Sequence, residues 1–283
     1  MNLRRIGLCR ALLGLLLAVV PGCANQAFFW PDDFDHDQLG ETRGRSRDLW
    51  FRAPGGPLLH GRWLLAEDEP RGTIVYVHGN NRNVSWHTQF CEPMRELGFD
   101  VFLFDARGYG RSEGRIDRDG FLEDTLAAVD LGLAHSPSGV IAYGRSLGSA
   151  AALYATRERD RVQGVVVEAG FARWQTVAAR MGGLVGLAAP LLVTPGPDPV
   201  DLVTEIGERP VEVLHGVEDW LVPVERGVEI YNAVPGPRHL TLFEGVGHRS
   251  PAWARPSEFD WAVSAALHRI LSESASSGSQ SGE

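Results

Sequence analysis

The chain contains 283 residues, of which 44% are hydrophobic and 22% are charged, and its 27 basic and 36 acidic residues give a formal net charge of −9. These fractions are those of a folded globular protein, and they exclude disordered, collagen-like and multi-span membrane classes. Every basic residue is arginine, so a phosphate-binding loop that requires lysine is absent. An acidic chain without a dense basic stretch is also not expected to bind nucleic acid.

Residues 1–22 are predicted to be an export signal. Three arginines in the first ten residues precede an apolar run over 11–20, which is too short to span a bilayer but typical of a signal peptide. Gly22 and Cys23 follow this run and resemble the lipobox of bacterial lipoproteins. The resemblance implies an acylated Cys23 and a chain anchored to the cell envelope, at the outer membrane if the organism has one. The alternatives are an ordinary secretory signal with an incidental cysteine and an uncleaved anchor.

Both ends of the remaining chain are predicted to lie outside the folded domain. Residues 23–46 contain four aspartates between positions 32 and 37, which indicates a solvated acidic tether. Residues 272–283 are rich in serine and glycine and are expected to be disordered. Cys91 is left without a partner once Cys23 carries lipid, so no disulfide is expected within the chain.

Between these ends, apolar β-branched runs alternate with longer helical segments. The predicted strands cover 49–53, 58–66, 73–77, 100–104, 139–143, 164–168, 211–215 and 239–243. The predicted helices cover 86–97, 119–134, 147–159, 173–189, 223–233 and 252–271. This alternation predicts an α/β fold with a mostly parallel, twisted sheet of about eight strands and helices on both faces. Such sheets bind ligands at the carboxyl ends of their strands.

The strongest motif is the Gly-Arg-Ser-Leu-Gly run at 144–148, which follows a predicted strand and opens a predicted helix. This is the context of a nucleophile elbow, in which small flanking residues allow a tight turn to raise the serine hydroxyl above the sheet. Ser146 is therefore the candidate nucleophile.

A serine hydroxyl requires a base to become an effective nucleophile. His248 is the candidate because it follows a predicted strand and its neighbouring glycines allow the loop to bend inward. Asp219, also directly after a strand, is the candidate carboxylate that orients it. Glu218 is the adjacent rival, and Asp198 and Asp201 are more distant ones. Alternatively, Asp219 only caps the helix that follows it.

Two backbone amides are expected to stabilise the charge that develops on the substrate oxygen. Leu147 supplies one because it follows the nucleophile. Asn80, in the loop after the 73–77 strand, is the candidate for the other, with Asn81 as the alternative. Neither a zinc-binding H-E-x-x-H run nor a dinucleotide-binding glycine fingerprint occurs, so no cofactor and no metal are predicted.

Five blocks occur in a set order: His-Gly-Asn at 78–80, Asp-Ala-Arg-Gly-Tyr-Gly-Arg-Ser-Glu-Gly at 105–114, the elbow at 144–148, His-Gly-x-x-Asp at 215–219, and Gly-His at 247–248. Together they resemble the α/β-hydrolase superfamily from about Arg47 to Leu271. The first two are similar to the branch that contains serine aminopeptidase-like hydrolases and membrane-associated protein depalmitoylases.

The resemblance implies an α/β-hydrolase domain over 47–271 with a small cap insert at about 171–208, and a structural role for the 105–114 block. It implies a serine hydrolase that cleaves an ester, thioester or amide of a small or acylated substrate through an acyl-enzyme. An acyltransferase with the same three residues, and a catalytically idle binding protein, are the alternatives. The oligomeric state stays open.

The apolar cap insert is interpreted either as a mobile lid over an acyl pocket or as a packed helix without a gating role. Four tryptophans fall in or near the predicted site loops and belong either to the pocket or to the core. They are Trp86, Trp174, Trp220 and Trp253.

Overall fold

We describe the chain from a computed structural model. It covers residues 29–37, 44–180, 193, 196–248 and 251–280, with side chains up to residue 276. The predicted signal, Cys23 and the 181–192 part of the cap lie outside the described residues. Among the described residues, none of the helices is long and apolar enough to cross a membrane.

An eight-stranded sheet forms the centre of the domain, in the order β1-β2-β4-β3-β5-β6-β7-β8. The first two strands pair antiparallel with each other, β2 pairs antiparallel with β4, and the remaining pairs are parallel. The strands are β1 Ser46–Arg52, β2 Leu58–Leu64, β3 Thr73–Val77, β4 Asp100–Phe104, β5 Val140–Arg145, β6 Val162–Glu168, β7 Val211–Gly216 and β8 Arg238–Phe243.

Helices cover both faces of this sheet. They are α1 Val84–Glu96, α2 Arg118–His135, α3 Leu147–Glu158, α4 Trp174–Arg180, α5 Pro199–Leu202, α6 Val224–Ala233, α7 Pro251–Ala254 and α8 Pro256–Gln280, with a 3₁₀ turn at Val203–Glu205. One apolar core lies under α2, α3 and α6, and the other lies under α1 and α8. Central β3 is buried on both faces and contributes alternate residues to the two cores. The predicted α/β fold is therefore confirmed.

The end of the chain differs from the expectation of a disordered tail over 272–283. Helix α8 continues to Gln280. Three serines in this stretch donate their hydroxyls to carbonyls three residues earlier, so they are accommodated within the helix (Ser272, Ser274 and Ser276). Glu273 also lies 3.2 Å from the ring of His239 on β8, which joins this part of the helix to the sheet.

The expectation of a free tether over 23–46 does not hold for residues 29–37, which lie against the domain. We call these residues the strap. Phe29 is buried in the core and packs edge-on against Phe121 of α2 at 5.5 Å between ring centroids. Farther along, the side chain of Asn83 donates to the backbone and carboxylate of Asp32. At the end of the strap, both carboxylate oxygens of Asp37 accept from the Arg62 guanidinium at 2.6 and 2.9 Å.

Candidate active site

Ser146 occupies a tight turn between the end of β5 and the start of α3. Its φ of 51° and ψ of −116° are outside the conformations that residues with side chains ordinarily adopt. Its amide donates to the carbonyl of Glu168 at 2.7 Å, which holds the turn against the end of β6. Strain of this kind costs about 1–3 kcal/mol and occurs most often at functional sites.

Two glycines allow the elbow to pack this closely. A Cβ atom on Gly148 would lie 2.1 Å from the backbone oxygen of Val77, at the end of β3. A Cβ atom on Gly144 would lie 2.4 Å from the oxygen of Gly148. Backbone atoms cannot move aside as a flexible side chain does, so the first turn of α3 approaches the sheet only because these positions have no side chain.

The structure brings the three candidate catalytic residues together at the carboxyl ends of the strands. The Oγ atom of Ser146 lies 3.0 Å from Nε2 of His248, and Nδ1 of the same ring lies 2.8 Å from Oδ2 of Asp219. The Asp219 side chain is fully buried, whereas 19% of the His248 side chain is exposed. A carboxylate at Nδ1 favours the tautomer in which Nε2 is free to accept the serine proton.

The loop after β7 holds Asp219 in this position. Its second oxygen, Oδ1, accepts from the amides of Leu221 and Val222 at 3.0 and 2.8 Å. His215 lies beneath it, 3.6 Å from Oδ2, and bonds to the carbonyl of Val222 at 2.9 Å. Burial lowers the pKa of His215. The rival Glu218 is exposed, so Asp219 alone of the two carboxylates contacts His248.

The candidate oxyanion donors also lie at this edge. Leu147 is the first residue of α3, where backbone amides have no partner within the helix. The 78–80 loop passes close to the elbow, since a Cβ atom on Gly79 would lie 3.5 Å from that of Ser146. Asn81, the alternative to Asn80, is exposed and pairs with Trp30 of the strap.

Asn80 is held by two partners that the sequence analysis missed. The Tyr109 hydroxyl donates to the Asn80 carbonyl at 2.5 Å. The Trp30 amide lies 3.3 Å from that carbonyl and 2.9 Å from Oδ1 of the same residue. Burial raises the pKa of Tyr109, so its hydroxyl keeps the proton that it donates. Tyr109 and Trp30 lie 29 and 50 positions from Asn80 in the chain, and contacts this distant leave no local signal in the sequence.

The 105–114 block has the structural role that the resemblance implies. Asp105 is buried, and its Oδ1 accepts from the amide of Val84 at the start of α1 at 2.8 Å. Burial opposes its ionisation, but the hydrogen bonds from His60 and from the Val84 amide, with the His78 ring 3.6 Å away, outweigh that effect and lower the pKa of Asp105. The carboxylate therefore joins this block to α1 and to the 78–80 loop.

A buried network behind the elbow was also missed. Glu168, at the end of β6, accepts from the Tyr143 hydroxyl at 2.8 Å and from Nε of Arg145 at 3.1 Å. The Arg145 guanidinium lies 5.3 Å from the ring centroid of Phe90 in α1. Burial first, and then the Glu168 carboxylate, raise the pKa of Tyr143. Arg145, between Gly144 and Ser146, therefore holds the elbow against the end of β6 and against α1.

The described part of the cap contains α4, α5 and the 3₁₀ turn. Trp174 is buried and donates Nε1 to the carbonyl of Pro197 at 2.9 Å, so it belongs to the core. Trp220 is 73% exposed, and its carbonyl accepts from Arg180 at the end of α4 at 2.9 Å. The interpretation of the cap as a mobile lid stays a prediction.

Two further observations concern metal binding and cavities elsewhere in the described chain. No group of three or more His, Cys, Asp or Glu residues with metal-binding geometry occurs within the described parts of the chain. A cavity of about 640 Å³ lies at the amino ends of β6 and β7, between Arg161, Pro210 and Leu271. This is the edge opposite Ser146, and none of the candidate site residues lines it.

Comparisons with known proteins agree with this fold. Residues 68–208 match the family model described as serine aminopeptidase, S33. The chain is 27% identical to the uncharacterised protein YfhR of Escherichia coli over 239 residues, covering 81% of this chain and 82% of that protein. It is 30% identical to the α/β hydrolase domain-containing protein WAV2 of Arabidopsis thaliana over 193 residues, covering 62% of each. An esterase of Pyrococcus furiosus superimposes with a TM-score of 0.69 at 21% identity, covering 85% of this chain and 97% of that one. The chain therefore belongs to the α/β-hydrolase superfamily of enzymes, in its serine aminopeptidase-like branch.

Proposed function

We propose that this enzyme is a serine hydrolase that cleaves an ester, thioester or amide bond through an acyl-enzyme on Ser146. The observation that carries the proposal is the continuous contact from Ser146 Oγ through the His248 ring to Asp219, at 3.0 and 2.8 Å. These are hydrogen-bonding distances for a nucleophile, its base and the group that orients the base. The strained elbow supports the same assignment.

In the first step, Oγ of Ser146 attacks the substrate carbonyl carbon while Nε2 of His248 takes the hydroxyl proton. The carbonyl oxygen becomes negatively charged, and the amides of Leu147 and Asn80 donate to it. The bond to the alcohol, thiol or amine then breaks, and this leaving group departs with the proton from Nε2. Water repeats the sequence on the acyl-enzyme, which releases the acid and regenerates the serine.

Asp219 has two roles in this cycle. It accepts from Nδ1 and so selects the ring tautomer that leaves Nε2 available. It also stabilises the positive ring that forms when Nε2 is protonated. The amides of Leu221 and Val222 orient the carboxylate, so its position does not depend on exposed side chains.

A fluorophosphonate probe, which reacts with activated serines, tests the nucleophile directly. We expect the wild type to be labelled and Ser146→Ala not to be, with a loss of ester hydrolysis of about 10⁴-fold or more. Ser149→Ala is the matched control, since this buried serine lies one turn along α3 and bonds only to the Ser146 carbonyl. Equal labelling of Ser146→Ala and wild type would remove Ser146 as the nucleophile.

We further propose that the enzyme is exported and held at a membrane by lipid on Cys23. The basic start, the ten-residue apolar run and the Gly22-Cys23 pair support this proposal. Intact-mass measurement of the mature protein tests it, and we expect a chain that starts at Cys23 and carries acyl groups. An unmodified start, or a start at another residue, contradicts it.

A further inference from the structure

Several large aromatic side chains at the active-site edge are exposed to solvent. Trp30 and Phe34 of the strap are 60% and 65% exposed, Trp220 beside the Asp219 loop is 73% exposed, and Trp253 in α7 is 49% exposed. We call these four residues the aromatic rim. They come from three separate segments that converge on the carboxyl ends of the strands. Exposed aromatic groups that cluster in this way mark an interaction surface more often than isolated ones do.

Ring contacts connect part of the rim into one surface. The rings of Phe34 and His36 lie 4.9 Å apart, those of His36 and Trp86 lie 5.5 Å apart, and those of Trp86 and Trp253 lie 5.6 Å apart. The strap, α1 and α7 therefore share a continuous aromatic border. At the other side of the site, Trp220 lies next to Gly247, since a Cβ atom there would be 3.8 Å from the indole.

The strap also limits where a lipid on Cys23 can be. Phe29 is fixed in the core, and Cys23 precedes it by six positions. A fully extended chain of that length reaches at most about 20 Å. A globular domain of this size is about 45 Å across. A bilayer that holds the lipid must therefore lie near the strap and cannot reach the opposite edge of the sheet.

The charges at this edge indicate what kind of surface fits. Asp32 and Asp37 of the strap are paired with Arg82 and Arg62, whereas Asp33 and Asp35 are exposed. The strap therefore presents negative charge and repels a strongly anionic surface. Tryptophan and phenylalanine, in contrast, partition into the region between lipid headgroups and acyl chains.

We propose that the aromatic rim docks the active-site edge onto a lipid bilayer and inserts at its interface. The orientation rests on the lipid anchor proposed at Cys23, while the rim is a separate observation. Docking in this way turns the edge of the sheet that carries Ser146 towards the membrane. An acyl ester or thioester held in the bilayer then reaches the nucleophile without first dissolving in water. The favoured substrate class is therefore a membrane-bound acyl group.

Spin labels on the acylated full chain in phosphatidylcholine vesicles measure the orientation. One label replaces exposed Asp33 in the strap, and the control label replaces exposed Glu208 at the opposite edge. Cys91 is fully buried and is not labelled. Oxygen dissolved in the membrane is expected to relax the label at position 33. A water-soluble nickel chelate is expected to relax the label at position 208. Equal behaviour of the two labels overturns the proposal.

A tryptophan pair tests whether the rim causes the docking. Trp220→Ser is expected to shift the docking equilibrium at the position-33 label by about tenfold or more, because it removes a large inserted side chain. Trp261→Ser is the matched control, since Trp261 is 69% exposed on α8 but lies outside the rim. Equal shifts in the two variants overturn the role of the rim. Added phosphatidylglycerol is expected to weaken docking, and stronger docking on anionic vesicles contradicts the insertion mechanism.

Activity provides an independent measurement. Phe34→Ser is expected to hydrolyse a soluble short-chain ester as the wild type does, and to lose about tenfold on a long-chain ester embedded in vesicles. A loss on both substrates, or on neither, contradicts the proposal. The position-33 label is alternatively protected from both oxygen and nickel, in a chain that is dimeric in solution. That result shows that a second copy covers the rim, and it overturns the proposal of membrane docking.

Failure of this inference is distinguishable from failure of the two functional proposals. The spin-label depths do not depend on catalysis, and fluorophosphonate labelling of Ser146 reports the active site separately. The intact mass of the same sample reports the lipid. A chain that carries lipid and reacts with the probe, but whose position-33 label stays in water, overturns the docking alone.

Discussion

The elbow and the strap lie at the same edge of the sheet, but their structures have different origins. The elbow is specified by five consecutive residues, because Gly144 and Gly148 permit a turn in which only the intervening positions carry side chains. The strap is specified by partners far along the chain, such as Asn80 and Arg62. A local motif can be recognised in a sequence without knowing the fold. A segment held by distant contacts cannot, even when it borders the same site.

This difference predicts how each region responds to substitution. Substitutions in the elbow, at His248 or at Asp219 should abolish activity or folding, because close backbone packing and hydrogen bonds fix the positions of these groups. Substitutions in the strap should lower the free energy of unfolding or loosen the loop that holds Asn80, because the contacts of the strap are distributed over several residues.

The largest effect is expected at Asp219. Asp219→Asn keeps the shape of the side chain but presents an amide to Nδ1 of His248, which favours the wrong ring tautomer. We expect kcat to fall by about 10⁴-fold. Glu218→Gln is the matched control and should change kcat by less than about twofold, since Glu218 is exposed. Steady-state hydrolysis of a soluble ester measures both, and a larger loss in Glu218→Gln would move the acid to that residue.

The next effect concerns the packing of the elbow. Gly148→Ala places a Cβ atom 2.1 Å from the Val77 oxygen, so backbone must shift, and we expect a loss of about 3 kcal/mol or more in the free energy of unfolding. Gly79→Ala is the control, because its Cβ atom would make ordinary contacts of 3.5 Å. It should cost less than about 1 kcal/mol. Urea unfolding measures the two variants, and similar losses would show that the elbow tolerates a side chain.

A third pair of variants tests whether the strap is a packed segment or a free linker. Phe29→Ala removes a buried ring that packs on Phe121, and we expect a loss of about 3 kcal/mol in the free energy of unfolding. Phe34→Ala removes an exposed ring from the same segment and should cost less than about 0.5 kcal/mol. Urea unfolding that shows no difference between them would restore the interpretation of this segment as a tether.

Much of the sheet and of the site follows from the sequence, because both depend on local patterns. The bounds of β3 and β4 match their predictions, since each is a short apolar run that cannot be exposed on either face. The strap and the end of α8 do not follow. Aspartates between 32 and 37 and serines after Leu271 are typical of solvated chain, and only their contacts with Arg62, Asn83 and backbone carbonyls show otherwise.

The smallest predicted effect lies where the two regions meet, at Asn80. Tyr109→Phe removes the hydroxyl that donates to the Asn80 carbonyl, while the ring stays in its buried site. The Trp30 amide still holds the loop, so the Asn80 amide should lose alignment rather than position. One such hydrogen bond contributes about 1 kcal/mol, which corresponds to a five- to tenfold fall in kcat. Because the oxyanion forms only in the transition state, KM should stay unchanged.

Tyr154→Phe, on a partly exposed tyrosine of α3, is the control and should leave kcat unchanged. A Tyr109→Phe variant that melts earlier but keeps its kcat at low temperature would show that the hydroxyl only stabilises the fold. A rise in KM with kcat preserved would place Tyr109 in substrate binding. A fall in kcat alone, together with slower fluorophosphonate labelling of Ser146, is the result that assigns it to positioning the Asn80 amide, and through that amide joins the strap to the chemistry.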